Sequence, residues 1–524
     1  MNGLRLHDFL DFHAREQPEA LFAVHGEHAM TYGNAAEEVN RLANAFVAAG
    51  LEKGDRFAFL SKNSIHHVVV YFAGSKAGVV PVPLNFRLLP AQWAEVINDA
   101  GAKLLIAAGE YGNAIDSIRR GLDTVARYVL LDGAGAPGWI DYQSWVSHQP
   151  SASPARLVTE SDDVYQMYTS GTTGRPKGAV LTHGAVTTHL VQVALALQGR
   201  ARQRTLVVTP LAHAHAAIQA FMSVYWGGSL HIHHEFKPGE VVRALSDEHI
   251  DVAVLVPSMI QACLLSVPDV SERCYDDLRL IFYGASPIAE HTLRRAIAVF
   301  GCDFAQGYGM TETTATLTFL SAAEHRLALA GRPELLASAG RPAVGTEVRV
   351  VDDHDIHVPP GVAGQIVARG PTVMRGYWNR PADTAEALRG GWMHTGDIGR
   401  LDADGYLYVL DRIKDMICSG GENIYPRTIE AVLYTHPAVA DAAVIGVPDE
   451  QWGETVKALV VLRPGTSASQ EQIIDFCCGR LAGFQRPRSV AFVDALPRNA
   501  SGKVLKHVLR EPYWSGRQRR VGGA

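Results

Sequence analysis

The chain has 524 residues, and its composition, 47% hydrophobic and 19% charged, is typical of a folded globular protein. A chain of this length predicts about two to four lobes rather than a single core. The net charge of −6 argues against a nucleic-acid-binding protein, because such proteins bind mainly through clustered Lys and Arg.

The cysteines and the apolar runs indicate a cytoplasmic protein. Six cysteines without a Cys-x-x-Cys pair predict reduced thiols rather than a disulfide framework. Charges interrupt residues 1–10, so no secretory signal is expected, and no run approaches the roughly 18 apolar residues of a membrane span. Arg517, Arg519 and Arg520 indicate a solvated tail and leave open weak contact with an acidic membrane surface.

Helix and strand patterns alternate through the first half of the chain. Asn34 and Glu37 form a capping-box pattern, which predicts a helix that Gly50 ends. Because strand patterns are followed by helix patterns, the sequence predicts parallel sheets covered by crossover helices. The predicted strands are 56–60, 79–83, 206–209, 229–233 and 252–256, and the predicted helices are 68–77, 214–226 and one that begins at Val241.

The pattern changes twice in the second half. Short strands separated by Gly/Pro turns predict a small β subdomain, and beyond Asp411 a compact α+β unit of about a hundred residues is expected. The predicted strands are 347–352, 364–369, 440–447 and 457–462, and the predicted helices are 428–434 and 470–481.

The predicted fold class is therefore α/β. It comprises a large N-terminal body of parallel-type sheets with helices plus a small β subdomain, and a smaller mobile α+β C-terminal domain. The predicted boundaries are 1–411 for the N-terminal domain, 412–416 for a hinge and 417–524 for the C-terminal domain.

A stretch rich in Gly, Ser and Thr follows a short strand pattern at 164–167. Residues 168–179 read Tyr-Thr-Ser-Gly-Thr-Thr-Gly-Arg-Pro-Lys-Gly-Ala. Glycines let the backbone approach an anion, while hydroxyls and Lys177 donate hydrogen bonds to it. The spacing is not that of a Walker A loop, and an ordinary surface turn can have the same composition. The composition favours a triphosphate-binding loop.

Five further short motifs follow along the chain. They are Pro-Leu-Ala-His at 210–213, Phe-Tyr-Gly-Ala-Ser-Pro at 282–287, Gln-Gly-Tyr-Gly-Met-Thr-Glu at 306–312, Trp-Met-His-Thr-Gly-Asp at 392–397 with Asp411-Arg412, and Leu-Pro-Arg-Asn-Ala-Ser-Gly-Lys at 496–503. Ordinary turns, core packing or solvated side chains explain each motif alone. In this order, together with the phosphate loop, they resemble the adenylate-forming enzymes: acyl-CoA synthetases, aryl-CoA ligases, luciferases and the adenylation domains of peptide synthetases.

The resemblance implies a nucleotide site and a set of catalytic residues. In it, Tyr308 stacks on adenine, Asp397 accepts both ribose hydroxyls, and Glu312 acts through Mg²⁺. The implied ATP- and AMP-binding residues are Thr169, Ser170, Gly171, Thr172, Thr173, Gly174, Gly284, Ala285, Ser286, Gly307, Tyr308, Gly309, Met310, Asp397, Arg412 and Asn423. The implied catalytic residues are Lys503, Glu312, Thr311 and Lys177, and the implied Mg²⁺ ligands are Glu312 and Thr172.

The same resemblance implies sites for an acid, for coenzyme A and for a hinge. Ala212 stands where the family usually has an aromatic residue, which puts the width of the acid pocket in doubt. Core packing explains Trp452 and Phe484 nearly as well as contact with CoA does. The implied acid-pocket residues are His213, Ala214, Ala217, Gly284 and Gly309, the implied CoA residues are Gly420, Gly421, Trp452, Phe484 and Arg486, and the implied hinge residue is Lys414.

The predicted function is ATP-dependent ligation of a carboxylic acid to CoA through acyl-AMP, with ATP, Mg²⁺ and CoA as cofactors. No charged residue lies within 212–221, which favours an apolar acid, with a fatty acid ranked first. One alternative is an enzyme for an aryl or other acid that loads a carrier-protein pantetheine or another nucleophile. A second is a catalytically silent nucleotide-binding protein on the same fold. Histidines 213, 215, 231, 233 and 234 lack a Cys or carboxylate that would complete a metal site. A homodimer is left open.

Overall fold

The computed structural model describes residues 3–133, 137–170, 176–286, 288–498 and 504–515. The first part of the chain contributes a five-stranded parallel sheet, in the order β4-β3-β5-β6-β7, and two strands of a larger sheet. The strands are β1 Leu21–His25, β2 His28–Thr31, β3 Arg56–Leu60, β4 Val80–Pro83, β5 Leu104–Ala107, β6 Arg127–Leu130 and β7 Ile140–Asp141. The helices are α1 Leu6–Glu16, α2 Tyr32–Ala48, α3 Ile65–Ala77, α4 Pro90–Ala100, α5 Gly112–Ile118 and α6 Tyr142–Ser147.

The capping box predicted at Asn34 is wrong. Helix α2 begins at Tyr32, and the hydroxyl of Thr31 accepts the backbone N–H of Asn34 at 3.3 Å, so Thr31 is the N-cap. The predicted Asn34 therefore lies inside the first turn of the helix.

The middle of the chain completes a nine-stranded sheet in the order β16-β15-β14-β13-β12-β10-β11-β1-β2. Its strands are β8 Asp163–Ser170, β9 Pro176–Thr182, β10 Arg204–Val207, β11 Ser229–Ile232, β12 Val252–Leu255, β13 Leu280–Gly284, β14 Asp303–Tyr308, β15 Thr318–Leu320 and β16 Arg341–Pro342, of which β8 and β9 belong to a separate small sheet. The helices are α7 His183–Leu197, α8 Ala214–Tyr225, α9 Pro238–Asp247, α10 Pro257–Ser266, α11 Glu290–Phe300 and α12 Ala322–Ala330.

The central strands of this sheet are parallel, and that arrangement sets the position of the site. Strands β12, β13 and β14 pair in parallel, with Gly284 opposite Gly307 at their carboxyl ends. In open parallel sheets, ligands bind outside the carboxyl ends of the strands. Motif residues 282–286 and 306–312 therefore reach the same edge of the sheet.

The last part of the chain forms an antiparallel sheet, β17-β18-β20-β21, and a separate five-stranded sheet, β23-β22-β25-β24 with β26 beside β25. The strands are β17 Glu347–Val351, β18 Gly364–Arg369, β19 Gly376–Tyr377, β20 Met393–Leu401, β21 Leu407–Arg412, β22 Ile417–Ser419, β23 Glu422–Ile424, β24 Val439–Asp449, β25 Gly453–Leu462 and β26 Ser489–Phe492, with β19 completing the small sheet of β8 and β9. The helices are α13 Pro381–Ala387, α14 Pro426–Leu433, α15 Gln470–Phe476 and α16 Lys506–Trp514.

The predicted fold class is confirmed: parallel sheets with helices, an antiparallel β unit and a separate α+β unit at the C-terminus. The helix predicted at 470–481 is too long, because α15 ends at Phe476 and Gly479 adopts a left-handed φ of +76°. Strand β21 ends at Arg412, and β22 begins at Ile417 in another sheet. The domain boundaries and the hinge at 412–416 stay a prediction, which this change of sheet supports. Among the described residues, no helix combines the length and apolar character needed to cross a bilayer.

Candidate active site

A cleft of about 260 Å³ lies at the carboxyl ends of β13 and β14, between the nine-stranded sheet and the C-terminal unit. Many of the predicted nucleotide residues line it. They are Ala285, Ser286, Gly307, Tyr308 and Gly309 from the sheet edge, and Asp397 and Arg412 from β20 and β21. The C-terminal unit supplies Arg427, Glu430, Arg498, Val504 and Lys506 to the opposite wall.

Tyr308, Asp397 and Arg412 form one hydrogen-bonded group in this cleft. The Tyr308 hydroxyl donates to Asp397 Oδ2 at 2.8 Å, and Arg412 Nε lies 3.3 Å from Asp397 Oδ1. Burial and the nearby Asp397 carboxylate raise the pKa of Tyr308 well above its ordinary value, so the phenol stays a neutral donor. The carboxylate of Asp397 is therefore held in one orientation at the wall of the cleft.

Gly284 and Ala285 are small residues at this sheet edge, and close packing of the backbone requires Gly284 whether or not a ligand is bound. A Cβ on Gly284 would lie 2.6 Å from the carbonyl oxygen of Gly307 on the paired strand. Ala285 adopts a left-handed φ of +65°, which is uncommon for a residue with a Cβ. Such strained positions concentrate at functional sites, and this one lines the cleft.

Glu312 lies in a short 3₁₀ turn, Thr311–Thr313, that follows β14. It is only 4% exposed, and its Oε1 accepts hydrogen bonds from Thr169 at 3.2 Å and from Tyr377 at 2.9 Å. Both bonds go to Oε1, so Oε2 receives none of the hydrogen bonds found in the described part of the chain. A carboxylate oxygen held in this way fits a hard cation such as Mg²⁺. Met310 lies half-buried just before the turn.

Lys177 lies on β9, directly opposite Thr169 on β8. Its ammonium forms an ion pair with Asp383 of α13 and lies 5.3 Å from the centre of the Tyr377 ring. The same tyrosine donates to Glu312, so Lys177, Tyr377 and Glu312 belong to one polar cluster at the base of the predicted phosphate loop.

Five predicted site residues lie outside the described residues: Gly171, Thr172, Thr173, Gly174 and Lys503. Their flanks are described. Ser170 pairs with Pro176 at the ends of β8 and β9, and Arg498 forms a β-bridge with Val504 at the wall of the cleft. The arginine tail at 517–520 also lies outside the described part.

The cleft contains buried charges that the sequence analysis missed. Lys506 Nζ lies 2.8 Å from Glu430 Oε1, and both side chains are at most 15% exposed. Burial opposes charge on Lys506, but the carboxylates of Glu430, Asp411 and Asp415 more than compensate and raise its pKa. Burial lowers the pKa of the neighbouring Arg427. The signal that could have identified Lys506 is its position three residues after Lys503.

A second, apolar cavity of about 50 Å³ is lined in part by Ala315 and Thr316, which lie against Gly309 and Gly307. Helix α8 presents His215, Ile218, Gln219 and Met222 to it, and β13 presents Leu280 and Phe282. The predicted acid-pocket residues stay a prediction. Ala214 and Ala217 are buried in the core on α8, His213 precedes that helix as its N-cap, and Gly309 lines the larger cleft. Neither His213 nor Gly284 lines either cavity.

The predicted CoA residues lie together at the hairpin of β22 and β23. Gly420 and Gly421 form its turn, next to the exposed Asn423, which does not line the cleft. Trp452 packs on Gly420, where a Cβ would lie 2.6 Å from the indole ring. The Trp452 and Phe484 side chains are 37% and 45% exposed, so core packing does not explain them. Arg486 Nη1 lies 3.2 Å from Cys478 Sγ, and its buried Nε has no hydrogen-bond partner in the described ranges.

Lys414 lies in the 3₁₀ turn Ile413–Asp415 between β21 and β22. Arg510 of α16 contacts this turn twice, through a 2.9 Å ion pair with Asp415 and a 3.3 Å hydrogen bond to the carbonyl of Lys414. Within the described ranges, no cluster of three or more His, Cys, Asp or Glu forms a candidate metal site.

Comparison with known proteins places these features in a family. The model of "AMP-binding enzyme" matches residues 10–378, and that of "AMP-binding enzyme C-terminal domain" matches residues 428–503. A feruloyl-CoA synthase of Amycolatopsis sp is 40% identical, over 95% of this chain and 97% of its own length. The fatty acid–[acyl-carrier-protein] ligase ScoC of Streptomyces coeruleorubidus is 37% identical, over 97% of this chain and 96% of its own.

Among solved structures, a Mycobacterium tuberculosis fatty acyl CoA synthetase is 33% identical, with a TM-score of 0.77 over 98% of this chain and 99% of the other. The family model covers more than half of the residues, and the relatives match along nearly their whole length. This chain therefore belongs to the AMP-binding enzyme family, in the acyl-CoA synthetase branch of the adenylate-forming enzymes that its motifs resemble.

Proposed function

We propose that the protein adenylates a carboxylic acid with ATP, releases pyrophosphate, and transfers the acyl group from acyl-AMP to the thiol of CoA. The observation that carries this proposal is the convergence of Tyr308, Asp397 and Arg412 on one cleft with the flanks of the segment that bears Lys503. These groups come from separate parts of the chain.

In the first half-reaction, a carboxylate oxygen of the acid attacks the α-phosphorus of ATP, and pyrophosphate leaves. Asp397 accepts the ribose hydroxyls and fixes the nucleotide, which brings the α-phosphorus to the acid in one geometry. Lys177 and Lys503 supply positive charge where negative charge develops on the phosphate oxygens. Mg²⁺, held through Glu312, would neutralise further charge on the phosphates.

In the second half-reaction, the CoA thiolate attacks the acyl carbon and AMP leaves with the bridging oxygen. At this hairpin, Gly421 leaves room for a thin pantetheine arm, because no atom of the described residues other than its chain neighbours lies within 4 Å of the position its Cβ would take, while Gly420 accommodates the Trp452 ring. The exposed rings of Trp452 and Phe484 offer apolar faces to the CoA nucleotide. Lys414 is the proposed hinge about which the C-terminal unit turns between the two half-reactions. It lies in a turn between two sheets, and hinges are commonly loop or element-end residues.

The acid is proposed to have an apolar body, because the cavity beside Gly307 is lined mainly by aliphatic and aromatic side chains. A fatty acid remains the first prediction from sequence. The feruloyl-CoA synthase relative supports an aryl acid, and the carrier-protein ligase relative supports loading of a carrier pantetheine as the second candidate function.

The test is pyrophosphate release from ATP and Mg²⁺ with a panel of fatty, aryl and polycyclic acids, with and without CoA, followed by mass analysis of the products. Acid-dependent release with a thioester formed only in the presence of CoA supports the proposal. Acyl-AMP that accumulates despite CoA indicates a carrier protein or another nucleophile. No release with any acid favours the silent nucleotide-binding protein.

A further inference from the structure

The apolar cavity begins next to the nucleotide cleft. At the end of the cavity near the cleft, Thr316 lies against the position where Gly307 would carry a Cβ, and Ala315 lies against that of Gly309. His215 Cε1, which also lines the cavity, lies 3.5 Å from the position of a Cβ on Gly284. Gly307 and Gly309 also line the cleft. The backbone of these glycines therefore lies at the boundary of the two spaces. An acid that passes this boundary would have its carboxylate at the α-phosphate and its body in the cavity.

The cavity follows strand β13 toward its amino end. Phe282 and Leu280 alternate onto the same face of the strand, and Arg279 precedes it. At about 3.3 Å per residue, the path from Gly284 to Leu280 spans roughly 13 Å. The walls between these ends are mostly apolar, with Val193, Leu197, Ile218, Met222, Val252 and Val254 among them.

Several polar atoms around the same cavity have no hydrogen-bond partner among the described residues. Gln219 donates through Nε2 to the carbonyl of Leu206 at 2.8 Å, which fixes the orientation of its amide, and its buried Oε1 is one of these atoms. Arg279 donates through Nη2 to Gln203 Oε1 at 3.3 Å, and its buried Nε is another. Thr205 Oγ1 is a third. Because buried polar atoms are nearly always hydrogen-bonded, a polar group of a bound molecule suits this part of the cavity.

Arg279 is not held by an acidic side chain of the described residues. No Asp or Glu within those ranges forms an ion pair with it, although the nearby carboxylates of Asp251 and Asp303 favour its charged form. Asp251 accepts the backbone N–H of Arg204 at 2.8 Å. The sequence analysis found no charge within 212–221, and the structure brings this arginine to the cavity from another element.

We propose that the acid carries a hydroxyl group at the end distant from its carboxylate, and that Arg279 and Gln219 recognise this hydroxyl. This inference rests on the proposed function. A hydroxyl donates one hydrogen bond and accepts others, so it can donate to Gln219 Oε1 and accept from Arg279 Nε. A plain hydrocarbon end satisfies neither atom. An ionised carboxylate only accepts, so it leaves Gln219 Oε1 unmet.

The test compares matched acids that differ only at the distant end: cinnamic, 4-hydroxycinnamic and 4-carboxycinnamic acid, and decanoic and 10-hydroxydecanoic acid. The quantity measured is kcat/KM for pyrophosphate release. A site built to hydrogen-bond a hydroxyl rejects the analogue that lacks it, so the expected ratio of hydroxylated to unsubstituted acid is at least about tenfold in one pair. The 4-carboxy acid should not exceed the unsubstituted acid.

Arg279→Met and Gln219→Leu should each reduce that ratio toward one, because each removes one partner of the hydroxyl. Arg200→Met is the matched control: Arg200 is a neighbouring exposed arginine that does not line the cavity, and its loss should keep the ratio. A binding measurement for 4-hydroxycinnamic acid with a thermal melt of each variant separates lost recognition from unfolding.

Three results would overturn the inference: a ratio of one in the unaltered protein for both pairs, an unchanged ratio in Arg279→Met and Gln219→Leu, or a preference for the 4-carboxy acid. If the acids are turned over but the ratio of kcat/KM between hydroxylated and unsubstituted acid is one, this inference is wrong and the proposed ligase activity is retained. Absence of pyrophosphate release with every acid removes both.

Discussion

The hydroxyl of Tyr308 donates a 2.8 Å hydrogen bond to Oδ2 of Asp397 and so joins β14 of the nine-stranded sheet to β20 of the antiparallel sheet. Arg412 lies 3.3 Å from the other oxygen of the same carboxylate, on the strand paired with β20. A carboxylate held from two sides is ready to accept the vicinal hydroxyls of a ribose, and we propose that it acts on the nucleotide rather than on the acid.

Replacing Asp397 by Ala should raise the KM for ATP by roughly ten- to a hundredfold, since hydrogen bonds to a charged group are worth about 1.5–3 kcal/mol. The order of preference among acids should stay unchanged, because the acid cavity does not include Asp397. Tyr308→Phe is the matched control: it keeps the ring and the carboxylate and should raise the KM less. Steady-state kinetics with several acids measure both quantities, and a changed acid preference would contradict the role given to Asp397.

Lys503→Ala should abolish acid-dependent pyrophosphate release while sparing thioester formation from supplied acyl-AMP. The reason is that the lysine is proposed to act only while phosphorus is transferred. The two half-reactions are followed separately, with Lys237→Ala, an exposed lysine paired with Glu240, as the control. Equal loss of both half-reactions would show that the side chain is needed for the architecture rather than for adenylation.

Trp452→Ala should raise the KM for CoA about fivefold or more and leave acid-dependent pyrophosphate release within about twofold, since a tryptophan that anchors a ligand contributes about 1 kcal/mol or more. Phe12→Ala, which removes an exposed ring on α1, serves as the comparison. Both variants are assayed with CoA varied at saturating acid and ATP. An unchanged KM for CoA would exclude Trp452 from the thiol-substrate site.

The free energy of unfolding should fall as the pH is lowered below about 6.5, because several histidines are buried in the neutral form. Burial lowers the pKa of His67 to about 3, and its ring packs against Phe59 and Tyr71. Between pH 6.5 and 3 the unfolded chain binds the extra proton, so each such histidine steepens the loss of stability by up to about 1.4 kcal/mol per pH unit. Above pH 6.5 these histidines are neutral in both the folded and the unfolded chain, so they do not change how the free energy of unfolding depends on pH.

His67→Phe should therefore make the plot of unfolding free energy against pH shallower in that window, as measured by urea unfolding at a series of pH values. Val68→Ala, also fully buried in α3, is the control, because it should lower stability by a similar amount at every pH. A slope that His67→Phe leaves unchanged would contradict this account.

The elements that the sequence predicts well are those with a strong local pattern. Strands β3 and β18 have the predicted bounds, Arg56–Leu60 and Gly364–Arg369, because short runs of β-forming residues end at turn residues. The start of α2 was missed because Thr31 and Asn34 both suit an N-cap, and only the structure shows which of the two caps the helix.

Within the site, motif order pointed to several residues that line the cleft, such as Tyr308 and Asp397, but contacts between distant elements could not be read from the sequence. The pair of Lys506 and Glu430 joins positions 76 apart, and Arg279, which precedes β13, reaches the apolar cavity from a part of the sequence far from α8. The face of α8 that lines this cavity could not be chosen either, since Ala214 and Ala217 suit a tight helix contact as well as a pocket wall. Tertiary packing decides between such faces.

The most direct measurement follows the oxygen atoms of the acid. The protein is given ATP, Mg²⁺, CoA and an acid labelled with ¹⁸O in its carboxylate, and the AMP and pyrophosphate are analysed by mass. If the acid attacks the α-phosphorus and AMP later leaves with the bridging oxygen, each AMP carries one ¹⁸O and pyrophosphate carries none. Label in pyrophosphate, or AMP without label alongside thioester formation, would contradict adenylation as the central step.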